Sequence, residues 1–482
     1  MASGAALRSI VNCRSGTRLL LAAAAFVFAG SCWLARPLPD IARHVLTPAY
    51  AEDGGDGGGG NGGGDGGGDG GNSSRGGGDD GGGDDGSGGS DSGKTGSSST
   101  APASDGATGT GGRGGDFAAG EIVVVGDRPE VLATAARLGF RLIDDRPLTA
   151  LGLSVLRLKT PANVEPEAGL ALLHRALPQL VADVNTLYEP YKTQSAEVVS
   201  LPAPDYARRL IGWSGGADCG AGFRIGMVDT GIDAQLPALA GGKLHQQSFL
   251  AEGAAPAETD HGTAIAALIL GRADPTHAEG GGLMPAADLY AASIFERHGD
   301  RAQASAFAIA EALDWMVAQH VPVVNISLSG DNNALMALAV RRATERGTVL
   351  VAAAGNAGPD APPAYPAALD DVIAVTAVDQ NEAIMAEANR GDYIAFAAPG
   401  VRIWTPSKDG LGQYQTGTSF AAPFAAAAVA AERMAGGPAD TALLRAHLAS
   451  HALDLGPPGK DSTFGYGLIR ATTACSPSAS TQ

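Results

Sequence analysis

The sequence predicts an α/β fold: a mostly parallel sheet covered by helices on both faces, preceded by a small ferredoxin-like α+β module. Three observations carry this. From about residue 204, short runs that are apolar at nearly every position alternate with amphipathic or alanine-rich stretches of helical spacing. Upstream, from 117 to about 194, the pattern reads strand, helix, strand, strand, helix, strand. Ahead of both lies a Gly/Asp tract with almost no hydrophobic side chains, which cannot bury enough apolar surface to offset its ordering entropy.

Taken from the N-terminus, Arg8, Arg14 and Arg18 precede LLLAAAAFVFAGSCWLA (19–35). A basic flank before an apolar run is the pattern of an export signal or a signal anchor, so residues 1–52 are read as one of these. The AYA at 49–51 offers a cleavage site, though far from the apolar run, and cleavage and retention both stay open. Export to the periplasm, cell envelope or medium follows, with membrane contact only through this segment. Residues 53–116 hold eleven Asp against two Arg and one Lys and form a disordered acidic linker. They contribute much of the formal charge of −18, and no cluster of Lys and Arg suggests a nucleic-acid surface. GGSDSGKT (88–95) fits a phosphate-loop pattern, but its flanks are Gly and Ser rather than strand and helix, so the match is chance.

In the module, EIVVVG (121–126) is short and β-branched, and PEVLATAARLGF has helical spacing ended by glycine. RLIDD and LSVLRLKT follow as strands, EAGLALLHRAL as a helix and LVADVNTLYEP as the last strand. The order is that of a ferredoxin-like unit. It carries no catalytic cluster, so its role is binding.

In the larger region, RIGMVD (224–229), LYAAS (289–293), VPVVNISL (321–328), TVLVAAAG (348–355) and VIAVTAV (372–378) are the strands. Runs apolar on both faces, separated by helices, belong to a parallel sheet buried on both sides. Ligands of such sheets gather at the carboxyl ends of the strands. Asp229 ends the first of them. His261 opens an apolar helix that Gly271 stops, Asn356 follows the strand TVLVAAAG, and Ser419 heads the alanine-rich stretch QTGTSFAAPFAAAAVAAE. Each alone has a plain explanation, as an aspartate turn, a capping histidine, an asparagine turn or a serine N-cap. Together they supply a hydroxyl nucleophile, a base that titrates near neutrality, an acid to orient it, and oxyanion donors.

VDTGID around Asp229, HGT at His261, AAAGN ending at Asn356 and GTSFAAP around Ser419 make the chain resemble the subtilases, the subtilisin-like serine proteases, from about 205 to 470. The resemblance implies the subtilase fold and an endopeptidase acting on proteins or peptides. Ser419 would be the nucleophile, His261 the general base and then acid, Asp229 its orienting partner, and Asn356 an oxyanion donor. It places substrate against Ser327, Leu328, Ser329 and Gly330, with Ala353, Ala354 and Gly355 opposite and Ala364 near the floor of the primary pocket. Ser329 stands where many relatives carry Gly. Small uncharged walls suit medium to large apolar side chains, because a Lys, Arg or Asp there would be buried unpaired.

The module, 117–200, is similar in pattern and position to subtilase propeptides. It would therefore be an intramolecular inhibitor of the catalytic domain, 201–475, cut by the enzyme itself between Tyr191 and Leu201. Against this stand a catalytically silent or permanently sealed subtilase fold, and an envelope tether whose linker is the working part. No cofactor and no metal are predicted: the loop 271–285 has few carboxylates for calcium, and His447 and His451, four apart, read as a surface helix. Cys219 and Cys475 flank the catalytic domain. A disulfide between them and two independent small residues are both open.

Overall fold

The computed structural model describes residues 108–110, 116–126, 128–190, 201–272, 281–407, 412–473 and 475. The export segment, nearly all of the acidic linker, the expected processing stretch after residue 190 and the centre of the loop 271–285 lie outside the described residues.

Adjacent residues of the strand Asp116–Val125 face opposite ways, and the whole arrangement can be read from that alternation. Ile122 and Val124 pack with Val131 and Ala135 of helix Arg128–Arg137, Leu170 and Leu173 of helix Pro166–Ala176, and Leu156 and Leu158. That is the module's own core. The strands lie antiparallel in the order Arg141–Leu148, Leu153–Lys159, Asp116–Val125, Val181–Pro190, the order of a ferredoxin-like unit. Val123, between Ile122 and Val124, points away from this core. With Leu148, Leu151, Leu153 and Val155 it joins a second core, whose other half is the helices Ala306–Ala318 and Ala334–Thr344 of the larger domain.

The larger domain is built on seven parallel strands in the order Ile394–Pro399, Val372–Val378, Val349–Ala353, Val323–Ile326, Arg224–Asp229, Asp288–Ser293, Lys243–Ser248. Five of these are the strands read from apolar runs. Lys243–Ser248 (KLHQQS) was missed because it is the sheet edge and largely exposed, so it has no apolar run to show. Ile394–Pro399 (IAFAAP) is wholly buried but short and alanine-rich, like the helices around it.

Alternation again sorts the faces. Ile225, Met227, Leu289 and Ala291 pack with the helices Asp260–Leu270 and Thr418–Met434, whereas Val228, Tyr290 and Ala292 pack with Ala306–Ala318 and Ala334–Thr344. The helix Thr418–Met434 is buried over nearly its whole length. Eight of its seventeen residues are alanine, whose small side chains let it pack into the interior against the valines and isoleucines of the sheet.

Cys219 and Cys475 are joined in a disulfide with Cα atoms 5.1 Å apart, tying the two ends of the domain across 256 residues. Of the two readings of this pair, the bridge is the one present, and bridges of this kind contribute about 2–4 kcal/mol. Among the described residues no helix is long and apolar enough to cross a membrane.

Candidate active site

The carboxyl ends of the central strands converge. Asp229, wholly buried, ends Arg224–Asp229 and accepts from the Thr230 N–H at 2.7 Å. The turn behind it is interlocked with the next helix. The Thr230 hydroxyl accepts from the Gly262 N–H at 2.9 Å, and the Thr263 hydroxyl accepts from Asp233 N–H at 2.9 Å while donating to the Thr259 carbonyl at 2.6 Å. A Cβ on Gly262 would lie 2.6 Å from the Thr230 carbonyl oxygen, so only glycine lets the helix come this close. VDTGID and HGT are thus one structural unit.

That unit sets His261 between two partners. Its Nδ1 is 2.7 Å from Asp229 Oδ1 and its Nε2 is 3.1 Å from Ser419 Oγ. With a carboxylate as acceptor, Nδ1 carries the proton and Nε2 accepts from the serine hydroxyl. The ring rests against Phe420, centroids 5.5 Å apart. Ser419 is not the helix cap. Gly417 holds that position, and the Ser419 side chain is committed to His261.

Asn356 follows Val349–Ala353. Its Oδ1 accepts from both the N–H and the hydroxyl of Thr418, at 3.0 and 2.8 Å. Two donors at one end of the amide fix its orientation and leave Nδ2 a buried donor with no protein partner. A Cβ on Gly417 would be 3.1 Å from that Nδ2 and 3.3 Å from Ser419 Oγ, so both border the same small space.

The expected substrate-binding residues lie on two adjacent strand ends and a loop. Ser327 is buried and its hydroxyl accepts from Asn325 Nδ2 at 2.9 Å. Leu328 and Ser329 form a short strand paired antiparallel with Pro190 and Glu189 of the module. Gly330 and Tyr365 exchange backbone hydrogen bonds at 3.1 and 3.0 Å, which brings Ala364 beside this segment. Ala353 and Ala354, both buried, and Gly355 leave the neighbouring strand, and the Ala354 carbonyl accepts from the Tyr393 hydroxyl at 2.8 Å. Burial pushes the Tyr393 hydroxyl pKa up, so it remains a donor there.

Sequence reasoning missed three supports. Thr418, inside GTS, orients Asn356. Asn389 holds the loop after Gly355, accepting from the Ala357 N–H at 2.8 Å and donating its own backbone N–H to the Gly355 carbonyl at 3.0 Å. Tyr188 of the module lies over Gly330, where a Cβ would meet its ring at 2.5 Å. Only Thr418 had a signal, its place in a motif. Among the described residues no group of three or more His, Cys, Asp or Glu could hold a metal ion. His447 Nε2 instead lies 3.1 Å from Glu432 Oε2.

A doubly covered parallel sheet with carboxylate, imidazole and hydroxyl in one hydrogen-bonded line at its carboxyl edge defines a hydrolase of the serine-peptidase class. The family model described as "Subtilase family" matches residues 220–467, and the chain belongs to that family, the subtilisin-like serine peptidases. It is 32% identical over 263 residues to the minor extracellular protease Epr of Bacillus subtilis, a match covering 54% of this chain and 39% of Epr. It is 33% identical to a thermostable alkaline protease of Halalkalibacterium halodurans (53% of this chain, 68% of the relative) and 31% identical to subtilisin BL of Lederbergia lenta (53% and 91%). Among solved structures, fervidolysin of Fervidobacterium pennivorans shares the fold at TM-score 0.62 and 23% identity, over 74% of this chain and 60% of that one. The chain thus spans well under half of Epr but nearly all of subtilisin BL.

Proposed function

We propose that the protein is an exported serine endopeptidase made as a zymogen, with Asp229, His261, Ser419 and Asn356 as its catalytic residues. His261 Nε2 takes the Ser419 proton as Oγ attacks a peptide carbonyl, and Asp229 stabilises the imidazolium that forms. The oxyanion would accept from Asn356 Nδ2 and the Ser419 N–H at the helix N-terminus. The imidazolium then gives its proton to the leaving amine, and water attacks the acyl-enzyme by the same route in reverse. The observation that carries this reading is the Asp229–His261–Ser419 line at 2.7 and 3.1 Å, beside an unpartnered buried amide.

The substrate backbone would add as a strand to Leu328–Ser329, the position the module's last strand now takes. Ser327, Leu328, Ser329 and Gly330 form one wall of the primary pocket, Ala353, Ala354 and Gly355 the other, and Ala364 its floor, for apolar side chains. The module, 117–200, serves as intramolecular inhibitor, cut between Tyr191 and Leu201 by the catalytic domain, 201–475. The signal or anchor, 1–52, and the acidic linker, 53–116, deliver both to the cell exterior, which agrees with the kinship to an extracellular protease.

The test is labelling by a fluorophosphonate serine-hydrolase probe. The full chain should label weakly, the form beginning near Leu201 strongly, and Ser419→Ala not at all. Strong labelling of Ser419→Ala would refute the nucleophile. A form beginning near Leu201 that labels no better than the full chain would refute module inhibition.

A further inference from the structure

Among the described residues, the end of the module's last strand is seated on the cleft, and it carries a charge that the cleft answers. The strand Val181–Pro190 lies between two strands of the catalytic domain: Tyr188 pairs with Ala304 of Arg301–Ser305, and Glu189 and Pro190 pair with Ser329 and Leu328. Continuing the first register sets Glu189 across from Gln303 and diagonal to Arg301 on one face, within reach of a long side chain. Arg301 makes that contact. Its Nε donates to Glu189 Oε1 at 2.6 Å and its Nη2 pairs with the same oxygen. The second carboxylate on Arg301 is Asp116, at 2.5 Å, at the start of the module's first strand. Both carboxylates therefore lie ahead of the proposed cut, Glu189 in the module and Asp116 at its junction with the linker. The nearby acid of the catalytic domain, Glu296, is engaged elsewhere, by His298 Nε2 at 3.3 Å and by the Ala251 N–H at 2.5 Å.

The neighbouring positions are apolar and filled. Tyr188 is fully buried, its ring over Gly330 and its hydroxyl donating to the Asp331 carbonyl at 2.9 Å. If the module leaves, Tyr188, Glu189 and Asp116 leave with it, and Arg301 loses both carboxylates it pairs with here.

We infer that Arg301 is a specificity-determining residue, selecting peptides with an acidic side chain at the position Glu189 takes, next after an apolar residue seated where Tyr188 sits. The inference rests on the proposal that substrate replaces the module's strand in this cleft. The Arg301 side chain is 51% exposed and Glu189 38%, so the pair is partly solvated and its selectivity modest. An acid should be preferred over its amide by about three- to fivefold in kcat/KM.

The test uses the full chain after its own activation and three internally quenched peptides, Thr-Leu-Tyr-Xaa-Pro-Tyr-Lys-Thr, with Xaa Glu, Gln or Lys. The ratio of kcat/KM within one preparation is independent of the active fraction. Wild type should rank Glu above Gln above Lys, the spread should shrink near 1 M salt, where the screening length falls to about 3 Å, and Arg301→Gln should bring Glu and Gln to equal rates. Arg301→Glu should invert the order. Equal rates for the three peptides in wild type, or an unchanged preference in Arg301→Gln, would overturn the inference and leave the peptidase reading intact. No hydrolysis of any of them would overturn both. If the Arg301 variants fail to accumulate, the wild-type ranking and its loss in salt decide the matter.

Discussion

The two sheets of this molecule differ in who covers them. The seven-stranded sheet owns the helices on both its faces. The four-stranded sheet of the module owns one pair and borrows the other: Ile122 packs under the module's own helices, while Val123, the next residue, packs under Ala306–Ala318 and Ala334–Thr344. The borrowed helices also exchange hydrogen bonds with the module. Asp183 accepts from the Ala334 N–H at 3.1 Å, and the Leu151 N–H donates to Asp314 Oδ1 at 2.8 Å. A domain that owns both faces can keep its strand ends for chemistry. A domain that borrows one must spend its polar residues on the neighbour, which fits an inhibitor that folds with its enzyme.

The largest effect should come from the self-sufficient domain. Ser419→Ala should lower peptide hydrolysis by about 10⁴-fold or more, and the full chain should accumulate uncut. Wild-type maturation of this variant in a protease-free system would mean that the cut is made by another enzyme. Asn356→Ala should cost turnover about 10²–10³-fold, the loss known for subtilisin's equivalent asparagine, with KM little changed. Full activity would place the oxyanion donor elsewhere.

The borrowed face is tested next. Tyr188→Ala, in a Ser419→Ala background that keeps the chain intact, should weaken module docking by about 3 kcal/mol. Hydrogen exchange should then speed up in the module while the seven-stranded sheet stays protected. Equal loss in both would mean that the two fold as one unit.

The smallest effect concerns pH. Burial between the module and helix Ala306–Ala318 raises the Glu311 pKa to about 7, despite Arg146 at 3.6 Å. The docked state therefore holds a proton that the unfolded or undocked chain gives up at the ordinary carboxylate pKa. Glu311 favours docking at acidic pH, and this contribution fades as pH rises through about 7, changing the docking constant by on the order of a hundredfold at most. Melting of the Ser419→Ala chain between pH 5 and 8 should flatten when Glu311→Gln is added. Parallel curves would show that Glu311 does not report docking.

Much of this was legible in the chain, and the reasons are local. A strand buried on both faces must be apolar throughout, so Arg224–Asp229, Val323–Ile326, Val349–Ala353 and Val372–Val378 announced a parallel sheet. Asp229, His261, Asn356 and Ser419 were marked out as candidates because each sits in a short motif that resembles a block of the subtilases, and such motifs are read over a few residues. Asn389 and Arg301 had no such signal. Each is one polar residue in an ordinary loop or short strand, meaningful only for what lies across a gap in sequence: Gly355 for the first, Glu189 for the second. The pairing of Cys219 with Cys475 was undecided for the same reason, since the two lie 256 positions apart and geometry alone joins them. Periodicity and turn chemistry act over a few residues and are written in the sequence. Which face of the module is borrowed, which carboxylate meets Arg301 and which proton Glu311 keeps depend on long-range packing, and only the tertiary structure decides them.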